Sequence, residues 1–277
     1  MIKLVVLSDN RKLDDALESE HGLCVYLETE QSKWLLDTGA SDNFIRNAEK
    51  LSIELAEVDY VFISHGHADH IGGLLAFFKV NAKAKVILSE NVLKQQYFST
   101  RNGLKEIGNS FDFSTDMERF IFVNKQTTID TDIHIFQLGK GNYPEPKANA
   151  SLLKNSGFGM APDDFNHELV ISFGLNFLVV YTGCTHRGLL NILEAVEKKA
   201  DKRVTCVVGG FHLLDSTCQQ NYESKDELMV IANRLKENYQ FTDFITGHCT
   251  GDQVFQQFES VLGNHLIQFY TGLTFCV

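Results

Sequence analysis

His65, His67, Asp69 and His70 fall within six residues of one another in the stretch SHGHADHIGG, offering three imidazoles and a carboxylate. Two histidines at i and i+2 on an extended segment point to the same side, and a following turn can bring Asp69 and His70 round to a neighbouring position. One segment thus supplies ligands to two adjacent cations. Imidazole and carboxylate suit Zn²⁺ and comparable borderline metals, and two such ions about 4 Å apart can share and deprotonate a water. Two more strand-like runs end in polar, histidine-bearing turns: YTGCTHRG, with Cys184 and His186, and ITGHCTG, with His248 and Cys249. Strand ends of this kind build a site at one edge of a layered sheet.

The elements that must position these residues alternate along the chain. MIKLVVLS, LCVYLET and WLLDTG read as strands, and SDNFIRNAEKL as a helix with Ser41 as its cap and Phe44, Ile45, Ala48 and Leu51 on one face. The nearly all-apolar run VDYVFIS points straight into the first histidine cluster and reads as a strand buried on both faces. GGLLAFFKV and ENVLKQQYF read as short helices around the strand KVILSE, and residues 99–118 as a polar surface excursion. ERFIFVNKQTTIDTDIHIFQLG has the period-2 pattern of a hairpin-like pair. All three prolines fall between residues 139 and 165, the most irregular stretch, which reads as a domain boundary or a functional flap carrying Tyr143 and Phe158.

The second half resumes with ELVISF, a turn at Gly174 and Asn176, and FLVVYTGC. Helices follow at GLLNILEAVEKK, at SKDELMVIANRLKE with a capping box from Ser224 to Glu227, and at GDQVFQQFESVL. A terminal strand from His265 closes the chain. This alternation predicts an α/β protein: one domain over residues 1–277, with two sheets packed face to face and helices outside.

The formal charge of −11 repels phosphate backbones and anionic lipid surfaces, so neither nucleic acid nor membrane is an expected partner. No apolar run approaches a membrane span or a signal peptide, which predicts a cytoplasmic protein. Six cysteines form no CxxC pair. Cys24, Cys206 and Cys276 sit in apolar runs as core thiols. His21, His134 and His265 stand alone as ordinary surface or core residues, and Cys249 would point away from the site if its strand continued.

The set HxHxDH at His65, His67, Asp69 and His70, with DTG at Asp37, TGCTH at 182–186 and ITGH at 245–248, resembles the metallo-β-lactamase superfamily nearly end to end. TGCTHRG, GGFHL and TGHCTG together resemble one subfamily within it. Its members are often labelled 7,8-dihydropterin-6-methyl-4-(β-D-ribofuranosyl)aminobenzene-5′-phosphate synthases, or metal-dependent hydrolases. The resemblance implies a four-layer αββα sandwich of two mixed sheets. It also implies a binuclear hydrolase that uses a metal-bound hydroxide on an ester, phosphoester, lactone or related bond of a small molecule.

The implied ligands are His65, His67, Asp69, His70, Cys184 (in the place of the usual bridging aspartate), His186 and His248. His167 and Glu168 are second choices for completing the shell. Asp69 and His212 are the implied catalytic residues, Asp37 a support behind the ligands, and two divalent ions, Zn²⁺ first and Mn²⁺ or Fe next, the implied cofactors. A non-catalytic metal sensor and a redox-type diiron member of the same superfamily are the competing readings.

Overall fold

Runs of Val, Ile, Leu and Phe with no exposed face form strands covered on both sides, and the longest such runs here supply two central sheets. The computed structural model describes every residue except Ser110, Phe158, Leu175 and Asn176, so the stacking role of Phe158 and the turn at Asn176 lie outside the described residues. The first half contains β1 (Lys3–Ser8), β2 (Cys24–Glu28), β3 (Lys33–Leu36), α1 (Asn43–Lys50), β4 (Tyr60–Phe62), α2 (Ala68–Ile71), α3 (Leu74–Val80), β5 (Lys85–Ser89), β6 (Gln96–Ser99), β7 (Lys105–Glu106) and β8 (Phe120–Val123). The second contains β9 (Gln126–Asp130), β10 (Ile133–Gln137), β11 (Leu152–Asn155), β12 (Met160–Pro162), β13 (Leu169–Phe173), β14 (Leu178–Tyr181), α4 (Leu189–Ala200), β15 (Val204–Val208), α5 (Lys225–Asn238), β16 (Asp243–Thr246), α6 (Asp252–Leu262), β17 (Leu266–Gln268) and β18 (Thr274–Cys276).

One sheet runs β18-β1-β2-β3-β4-β5-β8 and the other β17-β16-β15-β14-β13-β10-β9. Each is antiparallel on one side and parallel on the other: β3, β4, β5 and β8 are parallel in the first, and β14 to β17 in the second. Three apolar layers hold them. Leu4, Val25, Trp34, Ile135, Ile171 and Val208 fill the space between the sheets. Phe44, Ile71 and Phe77 cover the outer face of the first sheet, and Leu193, Leu228 and Phe258 that of the second. The result is the expected four-layer αββα sandwich. The Ser224–Glu227 capping box is formed in both directions at α5, a feature that contributes about 1 kcal/mol.

Several expectations are revised. ENVLKQQYF is a 3₁₀ turn followed by β6, and its two buried residues, Val92 and Tyr97, are five apart, a spacing that does not fall on one helix stripe. The hairpin within 118–139 is β9–β10 alone, and β8 joins the first sheet instead. Residues 139–165 contain β11 and β12, which pair with β6 and β7 in a third, four-stranded sheet. At α1 the Ser41 hydroxyl accepts from Asn43 N at 3.2 Å, but the cap position itself is Asp42. The chain closes with two strands, in different sheets, and Cys276 on the last is exposed. No helix of the described residues is long and apolar enough to cross a membrane.

Candidate metal centre

The loops after β3, β4, β14, β15 and β16 leave the sheets at one edge, and each brings one piece of the cluster: Asp37; Ser64 to His70; Cys184 and His186; His212; and His248 with Cys249. Asp37, Thr185, His212 and His248 all have left-handed backbone, with φ between 49° and 58°. Non-glycine residues adopt that region at a cost of order 1–3 kcal/mol, and such strain collects where turns must aim side chains. Gly183 (φ 62°) is required for closeness as well. A Cβ there would meet Ser64 Oγ at 2.2 Å.

Partners behind the rings fix which nitrogen faces inward. Asp37 Oδ2 accepts from Ser64 Oγ, Tyr181 OH and His70 Nδ1, each at 2.7 Å, so His70 carries its proton on Nδ1 and leaves Nε2 bare. Since the Ser64 hydroxyl donates to Asp37, His65 Nδ1 must donate to Ser64 Oγ at 2.9 Å. His186 Nδ1 lies 3.0 Å from Asn149 Oδ1, and His248 Nδ1 lies 3.2 Å from Asn10 Oδ1. Four imidazoles are thereby locked as tautomers with Nε2 turned into the site.

These inward-facing nitrogens converge. His65 Nε2 lies 3.4 Å from His186 Nε2, and His70 Nε2 lies 3.2 Å from His248 Nε2 and 3.1 Å from Cys184 Sγ. Asp69 Oδ2 lies 3.3 Å from His248 Nε2 and 3.7 Å from His70 Nε2. His67 Nε2 is buried without a hydrogen-bond partner, as are both ring nitrogens of His212. Donor atoms of His65, His67 and His186 lie within 4.8 Å of one another, and so do those of His65, His70 and Cys184. Lone pairs facing each other at such distances, and buried rings with no partner, fit cations between them.

Charge divides the cluster. Burial first, and neighbouring imidazoles second, push His65 and His186 well below the ordinary imidazole range, so both are neutral. Burial acts first on Asp69 and His248 too, but their neighbours outweigh it: His70 and then His248 hold Asp69 well below the carboxylate range, and Asp69, with Cys249 and Asp9 behind it, pushes His248 up to about 9. Burial raises the Cys184 thiol, and a hydrogen bond with Cys249 adds to this; Cys249, facing Cys184, His212 and His248, is held low against its own desolvation.

The second choices serve elsewhere. His167 Nδ1 accepts from Gly66 N at 3.0 Å and its Nε2 lies 3.0 Å from Asp163 Oδ2, so it braces the HGH turn and has no free nitrogen for a ligand role. Glu168 accepts from His186 N at 2.6 Å and Arg187 N at 2.9 Å, and burial pushes it up to about 8 despite those bonds. His212 lines the cavity with its ring 4.2 Å from that of His186.

Three other expectations fail. His21 is not isolated: its Nε2 is 3.4 Å from Asp69 Oδ2 and its ring stacks on His248. Cys249 faces the site because β16 ends at Thr246 and left-handed backbone at His248 turns the chain before it, and its sulfur accepts from His212 N at 3.3 Å. Residues 99–107 are more than a surface excursion: although 102–106 are exposed, the stretch forms one wall of the cavity, through Ser99, Arg101 and Ile107 among others. From the Pro-rich stretch, Leu152 reaches that cavity. Tyr143 lines a separate cleft beside Leu190 and Ile231. His134 and His265 keep to strand and turn positions outside the cluster, bonded to Thr128 and Asp243.

The chain belongs to the metallo-β-lactamase superfamily. The model of that superfamily matches residues 19–144. A crystal structure titled as a metal-dependent hydrolase of the β-lactamase superfamily is 30% identical, with a TM-score of 0.81, and covers 100% of this chain and 99% of its own. A Methanocaldococcus jannaschii protein named 7,8-dihydropterin-6-methyl-4-(β-D-ribofuranosyl)-aminobenzene-5′-phosphate synthase is 24% identical over 91% of this chain and 90% of its own length. A diphosphatase of the PhnP family shares the fold alone, at 13% identity and a TM-score of 0.52 over 99% of this chain and 96% of its own.

Proposed function

We propose that the chain is a single unit acting as a binuclear metal hydrolase on an ester, phosphoester, lactone or related bond of a small molecule. The facing of inward-turned His Nε2 atoms at 3.2–3.4 Å, each ring backed by a partner on its other nitrogen, carries this reading. His65, His67 and His186 would hold one cation, and Asp69, His70 and His248 the other. Cys184, whose sulfur lies within 4.8 Å of donor atoms of His65 and His70 and of His186, would serve both as a bridging ligand. When bound, two divalent ions, zinc first because thiol and imidazole are both soft enough to favour it, supply Lewis acidity to polarise the scissile group and acidify a water.

The remaining work falls to the chain. Asp69 Oδ2, held ionised beside His248, orients the attacking water and receives its proton. His21, exposed on one side and touching Asp69 on the other, passes that proton to solvent. His212 is neutral, being lowered by burial, and its one N–H, left without a partner, is free to donate to the charge that develops on the substrate oxygen. The name of the Methanocaldococcus jannaschii relative makes a pterin-linked ribosyl phosphate the first compound to try, although that protein is named a synthase.

Metal analysis with a panel of phosphodiesters, phosphomonoesters, lactones and thioesters tests the reading. Two equivalents of metal and metal-dependent turnover of one class are expected. One equivalent or none, or turnover that survives chelation, overturns it.

A further inference from the structure

The cavity in front of the cluster has a volume of about 620 Å³, within the usual range for a small-molecule site, and its far wall is the β6–β7 hairpin. Arg101 stands in the tip of that hairpin. Its backbone is tied from two sides: Arg101 N donates to Ser99 Oγ at 3.3 Å, and the Gln220 side-chain amide donates to Arg101 O. Its side chain has no such tie. Nε is buried without a hydrogen-bond partner, and no carboxylate among the described residues pairs with the guanidinium.

The other arginines set the contrast. Arg11, Arg46, Arg187 and Arg203 pair with carboxylates, Arg119 donates to Asn81 O and Ala84 O, and Arg234 lies over the Tyr143 ring. In a chain of formal charge −11, a cavity-lining arginine left without an acid has a reason to be sought in what enters the cavity. Its charge already reaches His212, which it helps keep neutral. Lys105 lines the same wall, and no ion pair ties it down among the described residues. Glu106, also on the wall, is exposed and pairs with neither.

A guanidinium binds planar, two-oxygen anions through paired N–H groups, which makes phosphate and carboxylate its natural ligands. We propose that Arg101, seconded by Lys105, seats an anionic group that the substrate carries away from the bond to be broken. Arg101 is then a specificity residue, selecting small molecules with a terminal phosphate or carboxylate. This inference rests on the hydrolase reading of the same cavity.

Ligands with one or two anionic ends separate the seat from the metals, which bind phosphate themselves. Calorimetry on metal-loaded protein compares propyl and pentyl phosphate with 1,3-propanediol and 1,5-pentanediol bisphosphate, and with 4-(phosphonooxy)butanoate. At least one two-ended ligand is expected to bind about 10- to 100-fold more tightly than its one-ended counterpart. Arg101→Ala is expected to abolish that gain and Arg101→Lys to keep part of it, both with wild-type metal content. Whether the bisphosphate or the phosphate-carboxylate gains more names the anion.

A wild-type protein with no gain at either length, or a gain that survives Arg101→Ala, overturns the proposal. Metal content measured on the same samples reports separately on the binuclear reading. Fewer than two equivalents with the gain intact sinks that reading and leaves Arg101 its role.

Discussion

The two halves of the cluster are built on different electrostatic plans. His65 and His186 present neutral nitrogens, their rings held by a serine and an amide, and beside them the nearest carboxylate, Asp163, stands off from His67 Nε2 at 3.8 Å and bonds His167 instead. Asp69, His70 and His248 are instead threaded with acids: Asp37 behind His70, Asp69 against His248, and Asp9 accepting from His248 N at 2.9 Å. The first half is ready for a cation as it stands. The second is stabilised without one by an internal ion pair, whose proton a cation must displace. Equal geometric convergence therefore conceals unequal costs of loading.

His65→Ala and His70→Ala probe the halves separately, and each is expected to lower turnover by about 1000-fold or more, since Lewis-acid stabilisation is worth several kcal/mol. Each should lose chiefly the cation of its own half while the fold, measured by circular dichroism, persists. Loss of both cations to the same degree in both variants would break the distinction.

The pH dependence of the metal-free protein is next in size. His248 is raised to about 9 from an ordinary 6.5, so its contribution, about 3 kcal/mol, is fully present below pH 6.5 and is lost as pH rises through 9. Thermal melting of the metal-free protein should therefore fall between pH 7 and 10, and His248→Gln should flatten that fall. By the same linkage, loading of the acid-bearing half should strengthen as pH rises over this range, while that of the neutral half stays level.

Asp37→Asn tests the brace behind the acid-bearing half. Asn offers one oxygen and an amide that cannot accept from His70 Nδ1, so metal affinity should fall about 10- to 100-fold there. An equal fall in the neutral half would show that Ser64, which Asp37 also holds, carries the effect across.

The smallest expected effect falls at the boundary. Cys184→Ser should weaken zinc binding relative to manganese by about tenfold, as an oxygen replaces the softer sulfur. X-ray absorption of the zinc-loaded wild type should show sulfur at about 2.3 Å. In the metal-free chain Cys249 is the thiol held low, so sulfur persisting in Cys184→Ser would assign the contact to Cys249.

What the sequence made legible follows the range of the interactions. The His65–His70 cluster could be read because its spacing, an extended HGH and then a turn into α2, is local. The helices behind the second sheet could be read because Leu228, Ala232 and Leu235 on α5 recur at helical spacing. His21 could not: it reaches Asp69 only because Leu23 N bonds Asp69 O across the fold, at 3.0 Å. Cys249 was misjudged on a single dihedral, the left-handed φ of His248. The cavity wall at 99–107 was missed because short, exposed strands such as β7 carry no periodic signal.

Asp9 reaches His248 across 239 positions of sequence, and the Thr271 hydroxyl in turn donates to Asp9 O, 262 positions back. Contacts of that span are expensive to close early, because the loop entropy is spent before the neighbouring sheets return it. The metal centre therefore cannot nucleate folding; it is finished last, after the first and final strands have met. Refolding should be slow, on the order of milliseconds to seconds, and insensitive in rate to added metal, while the unfolding rate drops sharply once the ions are in place.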